Sequence, residues 1–451
     1  MWPYSVARSL PLLSHLRRPP RCIGDAVIAA VGCANRRVTD RAYASGTAFA
    51  PEVDNARPHR HLYVVLDQIN AGHGIYKLNI DDLDGGDEEA LTGAGMDADK
   101  AVPPPPCRLP EAVLRLGVSS VGSHPQFKGL GSKIVIIGDY EYQQITYIYD
   151  TKTAKLDTAK PPADNLCLGR MSSSVSEKLH LITAPGESPQ YLCEVPAAPE
   201  LDQSCLSRRE EDNMISSKWR GQLQRWAWKS GPTPPPLPEG ASISHFPLQS
   251  YAVHPNGQTI FFSSRYFTFS LDTNGADSAR RVGEWVLPFH GRAYYDPDLD
   301  AWIGMRKVDS VEEGLMWERH YLCSCDVPAA VVDNNEGNTL PLPALKMCKE
   351  ELTFFDPPLA DYRVKHTLVH TGRGRFCLVE AAPTQERKGT SHCTCTNDGI
   401  EHVLLVTMFR AKHGKNGELV VAPCRPGRSY IVPNYLVDCN SFADSLSAFW
   451  M

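Results

Sequence analysis

No stretch of this 451-residue sequence is long and apolar enough to cross a bilayer as a helix. About 18 consecutive apolar residues are needed for that, and the longest candidate, Ala26 to Ala34, supplies nine. The apolar run of a secretory leader is missing as well, so the mature protein is expected to be soluble. No segment of eleven residues or more carries a convincing helical period, which argues against helical layers. The short motifs that announce particular chemistries are also lacking. There is no Gly-x-Ser-x-Gly, no His-Glu-x-x-His and no phosphate-binding loop, so the common serine-hydrolase, zinc-protease and nucleotide-binding mechanisms have no signature.

Fourteen cysteines are thinly scattered rather than gathered into a short disulfide framework. Cys193, Cys323, Cys325 and Cys377 fall inside strand-like patterns, where a free thiol acts as a small buried hydrophobe. Reduced thiols in an intracellular compartment are therefore expected.

Charge is unevenly distributed. Residues 1–43 hold seven arginines, no lysine, and only Asp25 and Asp40 as acids, a net charge of +5. The whole chain carries −6, so the remainder carries −11. An arginine-rich, acid-poor leader predicts a mitochondrial transit peptide, with Arg41-Ala42-Tyr43 as its processing site. A disordered basic tail on a cytoplasmic or nuclear protein is the alternative. With no basic stripe beyond the leader, sequence-general nucleic-acid binding is not expected.

What the sequence has in quantity is strand chemistry that repeats. The fullest copy, Ser250 to Thr273, reads SYAVHPNGQTIFFSSRYFTFSLDT. An apolar strand enters a His-Pro-Asn-Gly turn, a second strand covers Thr259 to Ser263, and a third, Tyr266 to Leu271, ends on Asp272. Trp285 to Phe289 is read as the strand completing that unit. Looser copies end on Asp150 and Asp326. Asp272 and Asp326 are 54 residues apart, close to the period of kelch-type blades, and Asp150 lies 122 residues before Asp272, about two such units. Further hairpins are predicted. His61–Leu66 and Gly74–Ile80 flank a Gly72-His73-Gly74 turn, and Ala293 to Arg306 turns at Asp296-Pro297-Asp298. Lys365–Val369 and Arg375–Glu380 flank Gly372-Arg373-Gly374, and His402–Arg410 and Glu418–Ala422 flank Asn416-Gly417. Arg225-Trp226-Ala227-Trp228 reads as an outer blade strand.

The expected fold is all-β: a single kelch-like β-propeller of about six four-stranded blades behind a disordered leader. The boundaries are a transit peptide at 1–43, a linker at 44–58, the propeller at 59–432 and a C-terminal tail at 433–451. Radial stacking buries both faces of each blade. Ring closure is expected from Leu62 to Leu66 joining strands within 402–432.

RHLYVVLD, LGSKIVIIG, YAVHPNGQTIFFS, WVLPFHGRAYYDPDLDAWIG and LCSCDV together resemble a plant family of proteins of unknown function expanded in cereal grasses. The likeness covers roughly residues 59–430 and implies a kelch-like propeller. It implies no substrate, cofactor or catalytic residue.

Candidate chemistry is sparse. Cys323-x-Cys325 with His392-Cys393-x-Cys395 is the best set of soft metal ligands, but structural zinc sites favour two to four intervening residues, and packing on one strand face explains the first pair equally well. The acid- and glycine-rich segment Asp81 to Asp99 lacks the spacing of a calcium loop. His320, His366, His370 and His402 read as isolated strand or loop surface residues. Leu109 to Leu114 faintly resembles the opening of an F-box, without the helices that should follow. Tyr294, Tyr295, Trp302, Trp226 and Trp228 are read as filling between blades rather than a binding face. No catalytic, cofactor or metal residue is assigned and no cofactor is expected. The expected function is a non-enzymatic module binding a protein or peptide partner. The alternative is an enzyme with its site in the central channel.

Overall fold

The structure is a computed structural model. It describes residues 60–68, 72–79, 106–117, 125–138, 145–162, 171–182, 190–195, 225–231, 248–274, 279–312, 315–330, 339–352, 365–383, 402–423, 427–432 and 446–451. Every regular element among them is a strand. No helix of the described residues is long and apolar enough to cross a membrane.

In chain order, β1 (Leu62–Gln68) pairs antiparallel with β2 (Gly72–Leu78). The two-residue β3 (Cys107–Arg108) follows, and β4 (Ala112–Leu116) pairs with β2. The first complete blade is β5 (Gln126–Leu130), β6 (Lys133–Ile137), β7 (Thr146–Asp150) and β8 (Lys155–Ala159), adjacent in that order. The second is β9 (Met171–Val175), β10 (Lys178–Ile182), β11 (Gln190–Glu194) and β12 (Trp226–Ser230). The third is β13 (Ser250–Val253), β14 (Thr259–Ser263), β15 (Thr268–Asp272) and β16 (Arg280–Gly283). The fourth is β17 (Gly291–Asp296), β18 (Ala301–Glu312), β19 (Leu315–Asp326) and β20 (Leu345–Glu351). In the fifth, β21 (Lys365–Gly372), β22 (Arg375–Pro383) and β23 (His402–His413) run in order. Both β24 (Leu419–Pro423) and β25 (Arg428–Val432) pair with β23, and β3 lies parallel beside β25. Finally β26 (Leu446–Trp450) pairs with β1, giving a sixth sheet in the order β26, β1, β2, β4.

The first strand of each sheet lies innermost. Strands β13 and β17 pair in parallel across two blades. Likewise β26 touches β21 and β5, and β9 touches β5 and β13. The remaining junction, β17 to β21, is joined by the Tyr294 hydroxyl donating to the Leu368 carbonyl at 3.0 Å. Six inner strands thus circle one axis, and the chain is a six-bladed β-propeller.

Alternation explains why the ring holds. A strand presents successive side chains to opposite faces, and here both faces are buried. Leu62, Val64 and Leu66 of β1 pack on the fifth blade, while Tyr63 and Val65 pack on the first. In β6, Ile134 and Ile136 face the sixth blade and Val135 and Ile137 the second. Each of six apolar clusters lies between one pair of consecutive blades. Full burial of one such aliphatic side chain contributes about 1.5–3 kcal/mol. Trp302, fully buried, adds direction: its Nε1 donates to the Val253 carbonyl of the third blade at 2.9 Å.

The recurring turn chemistry has a visible purpose. In the His254–Gly257 turn, the Asn256 Oδ1 accepts from the Gln258 and Thr259 amides, both at 3.0 Å, and Gly257 takes φ +67°. Asp150 and Asp272 close the third strands of their blades. Their Oδ1 atoms accept from the Lys152 and Asn274 amides, each at 2.9 Å. The threonine after each aspartate then reaches back. Thr151 Oγ1 donates to the Ser132 carbonyl and Thr273 Oγ1 to the Gln258 carbonyl, both at 2.7 Å. The repeated Asp-Thr therefore fastens the last turn of a blade to its first. Asp326 ends β19 at the same place, but Val327 follows it.

Several expectations need correction. Ring closure does not come from 402–432, because β23 is already flanked by β22 and by β24 and β25. It comes from Leu446–Trp450, inside the supposed tail, which takes the inner edge left open by β1. The pairing extends to the chain end, where the His61 amide donates to the Met451 carbonyl at 2.7 Å. Trp285–Phe289 is not a blade strand. The fourth strand is Arg280–Gly283, and Trp285–Phe289 crosses to the next blade, with Trp285 Nε1 donating to the Leu340 carbonyl at 2.9 Å. The third strand begins at Thr268, not Tyr266. Gly72 to Gly74 belong to β2 rather than to a turn, and Gly72 lies so close to the Leu116 carbonyl that a Cβ would stand 2.2 Å from it. The segment with F-box flavour runs into β4, an outer strand, so no F-box helix forms there. The leader and linker, 1–58, lie outside the described residues.

Candidate functional site

Each inner strand sends alternate side chains to the two junctions that flank its blade. The parallel pair β13–β17 shows which residues go to each. Ala252 and Ala293 are register partners and point outward into the cluster between the third and fourth blades. Their neighbours alternate to the opposite side. Tyr251 and Val253 pack toward the second blade and Tyr294 toward the fifth, with Arg292, the register partner of Tyr251, on the Tyr294 side of β17; all four are half-buried.

Arg292 is the only cation of β17. Its guanidinium carbon sits 4.6 Å from the centre of the Tyr294 ring. The Nε atom is sealed from solvent and has no hydrogen-bond partner. Among the described residues the guanidinium makes neither hydrogen bond nor ion pair. A cation over a tyrosine face gains about 0.5–2 kcal/mol, less than the several kcal/mol lost on leaving water.

The junction of the fourth and fifth blades holds the densest set of titratable groups. Tyr294 reaches Leu368, and His370 Nε2 lies 2.9 Å from Asp296 Oδ2, both at a stagger of 74 residues. The same stagger sets His366 level with Arg292. His366 is buried, its Nε2 lies 3.4 Å from Glu380 Oε1, and neither ring nitrogen makes a hydrogen bond. The His320 ring lies 4.5 Å from the His366 ring, tilted by 41°. Glu380, register partner of His366, is fully buried.

Asp296, at the other end of β17, is fully buried and fully engaged. Its Oδ1 accepts from the Asp298 and Leu299 amides at 3.0 and 3.1 Å, and its Oδ2 from the Gly374 amide and His370. Burial acts to raise its pKa, but the His370 and Gly374 hydrogen bonds outweigh it and hold the carboxyl below its ordinary value. This group is an inter-blade clasp with no lone pair aimed at a substrate.

The histidines expected on the surface thus prove otherwise. His402 and the His366 side chain are buried, the His320 ring lies tilted against His366, and His370 holds Asp296. Cys323 and Cys325 share one face, as packing alone requires. Both thiols are buried, and burial pushes their pKa up, to about 12 for Cys325. A thiol so raised is neither a nucleophile nor a ready metal ligand. His392, Cys393 and Cys395 lie outside the described residues, as does Asp81 to Asp99. Among the described residues no group of three or more His, Cys, Asp or Glu is arranged around a metal position. The aromatics fill between blades: Trp226 and Trp302 are buried there, and Trp228 Nε1 donates across to Thr146 Oγ1 at 3.2 Å. A groove lined by Lys160, Gln190, Trp228 and Lys229 lies on the outer strands, away from the axis.

Sequence reasoning missed Arg292. Its only signal is a cation alternating with an aromatic in GRAYYD, which an exposed strand would display equally.

Comparison with solved structures gives weak likenesses. A protein from Bacteroides uniformis described as a candidate 6-phosphogluconolactonase aligns at TM-score 0.36 and 8% identity, over 87% of this chain and 100% of its own. A protein from Lactobacillus plantarum aligns at 0.33 and 8%, over 83% and 99%. Virginiamycin B lyase from Staphylococcus aureus aligns at 0.27 and 12%, over 66% and 84%. None of these scores carries an argument about activity. Comparison with curated proteins gives no match. The family model for "Protein of unknown function (DUF1668)" matches residues 59–430, most of the chain, and the protein belongs to that family.

Proposed function

We propose that this protein is a non-enzymatic β-propeller that binds a protein or peptide partner through the face on which its inner strands begin. The observation that supports this is a contrast between the two ends of the inner strands. Where inner strands end, the turns into the second strand contain only two to five residues. They are tied down by bonds such as Ser176 Oγ to the Gly257 carbonyl of the next blade, at 3.2 Å. Where inner strands begin, the chain crosses from blade to blade through 7 to 19 residues at each of six junctions. Variable connections on a rigid frame are where binding residues concentrate. The titratable groups at the inner strands support binding over turnover, since Asp296 and His370 are consumed by each other and the raised cysteine thiols cannot attack.

The sequence resemblance favours a plant protein, and the arginine-rich leader favours mitochondrial import. Proximity labelling from the full chain in plant cells tests both readings. A small reproducible set of neighbours, lost when residues 353–364 are replaced by a Gly-Ser segment of equal length, is expected. Neighbours unchanged by that replacement, or turnover of a metabolite by the purified chain, contradicts the binding reading. A fusion of residues 1–60 to a fluorescent protein that stays cytosolic contradicts the import reading alone.

A further inference from the structure

We propose that Arg292 is the anchor of an oxyanion-binding site at the junction of the fourth and fifth blades, taking a carboxylate or phosphate group that the bound molecule inserts between them. The inference deepens the partner-binding reading by naming the chemistry of recognition, and rests on it for the source of the group.

Three observations converge. First, Arg292 is a permanent cation on the innermost strand whose sealed Nε has no partner, and no described carboxylate pairs with it. Its planar fork of N–H donors matches carboxylate and phosphate oxygens two at a time. Second, its surroundings hold the guanidinium in place and leave it partly exposed. Ala293 and Ala252 point into the core behind it, the Tyr294 ring supports the guanidinium face, and Tyr251 stands beside it on β13. Arg292 itself remains half-buried, so part of it meets solvent. Third, His366 stands level with it on the next inner strand, its ring nitrogens without hydrogen bonds and its Nε2 3.4 Å from Glu380 Oε1. The buried Glu380 lies beyond His366, on β22, one strand further from the axis. Arg292 is also the second residue of β17. That places it near the face on which the inner strands begin, the face assigned to the partner.

A purely structural arginine would hold a carboxylate or cap a turn, as Arg225 does with Glu194. Arg292 does neither. Replacing an unpaired, half-buried cation by an apolar side chain of similar length should leave folding intact or improve it, which separates a binding role from a structural one.

The test uses the full chain and two variants, Arg292→Met and Arg292→Lys. Citrate, inorganic phosphate and an acetylated hexaglutamate peptide are titrated by calorimetry at low salt, with melting temperature read in parallel. Saturable binding of at least one probe by the native chain is expected. It should weaken tenfold or more in Arg292→Met and only a few-fold in Arg292→Lys, while Arg292→Met without probe melts at or above the native temperature. Preference for the peptide assigns the oxyanion to a protein partner, and preference for citrate or phosphate to a small molecule. No binding of any probe, equal binding by Arg292→Met, or a melting temperature lowered by more than a few degrees overturns the site. If the labelled neighbours survive Arg292→Met unchanged, this inference fails while the partner-binding reading stands.

Discussion

His180 and Asp296 respond to acid through opposite chemistry, and the sign of each follows from its surroundings. His180 lies on β10, buried, with an unpartnered Nε2. Burial, with help from the Lys178 charge, pulls its pKa from 6.5 down to about 4. The folded chain therefore refuses a proton that the unfolded chain accepts between those values. Stability falls as pH drops through that window, by up to about 3 kcal/mol. Urea unfolding at pH 7 and pH 5 should show the loss, and His180→Gln should flatten it. Asp296 behaves as carboxylates usually do. Its folded pKa lies below the unfolded one, so its contribution is present above about pH 4 and disappears as pH falls through the folded value. Asp296→Asn would turn an NH₂ group toward the Gly374 amide or the Leu299 amide, donor against donor. A cost of about 2–4 kcal/mol is expected at pH 7. A double-mutant cycle with His370→Gln should recover part of that cost as coupling.

Among the strands and turns, the local signals were legible and the distant ones were not. His-Pro-Asn-Gly specifies its hairpin with atoms no more than five residues apart, and the sequence predicts β13 and β14 from it. Asp150, Asp272 and Asp326 mark third strands because an Asx turn follows each of the first two within two residues. Thr273→Val should cost about 1 kcal/mol by removing the Oγ1 bond to Gln258 while keeping shape. Thermal unfolding of that single variant checks it. By contrast, β26 is five residues, Leu-Ser-Ala-Phe-Trp, whose partner β1 lies at the far end of the chain. Nothing local distinguishes it from a tail. Trp285 to Phe289 has a strand's composition, yet its backbone bonds to side chains, Ser263 Oγ and Thr268 Oγ1, rather than to a neighbouring ladder. The candidate site was hidden for the same reason. Arg292 acquires meaning only from Tyr251, 41 positions earlier in the sequence, and His366, 74 later.

The molecule as a whole depends on closure. Six apolar clusters each need two blades, so no blade has a core of its own. Two of those clusters include residues of β26 or pack against them: Leu446 in the cluster with the fifth blade and Phe449 beside the cluster with the first. Opening the ring there exposes both at once, and loss should propagate around the circle rather than stay beside β1. Amide hydrogen exchange on a chain ending at residue 440, compared with the full chain, examines this directly. Loss of slow exchange in β1, β2, β5, β6, β21 and β22 together, with one broadened unfolding transition, is the predicted outcome. Loss confined to β1 and β2, with the other blades as protected as before, would contradict a closed six-bladed ring.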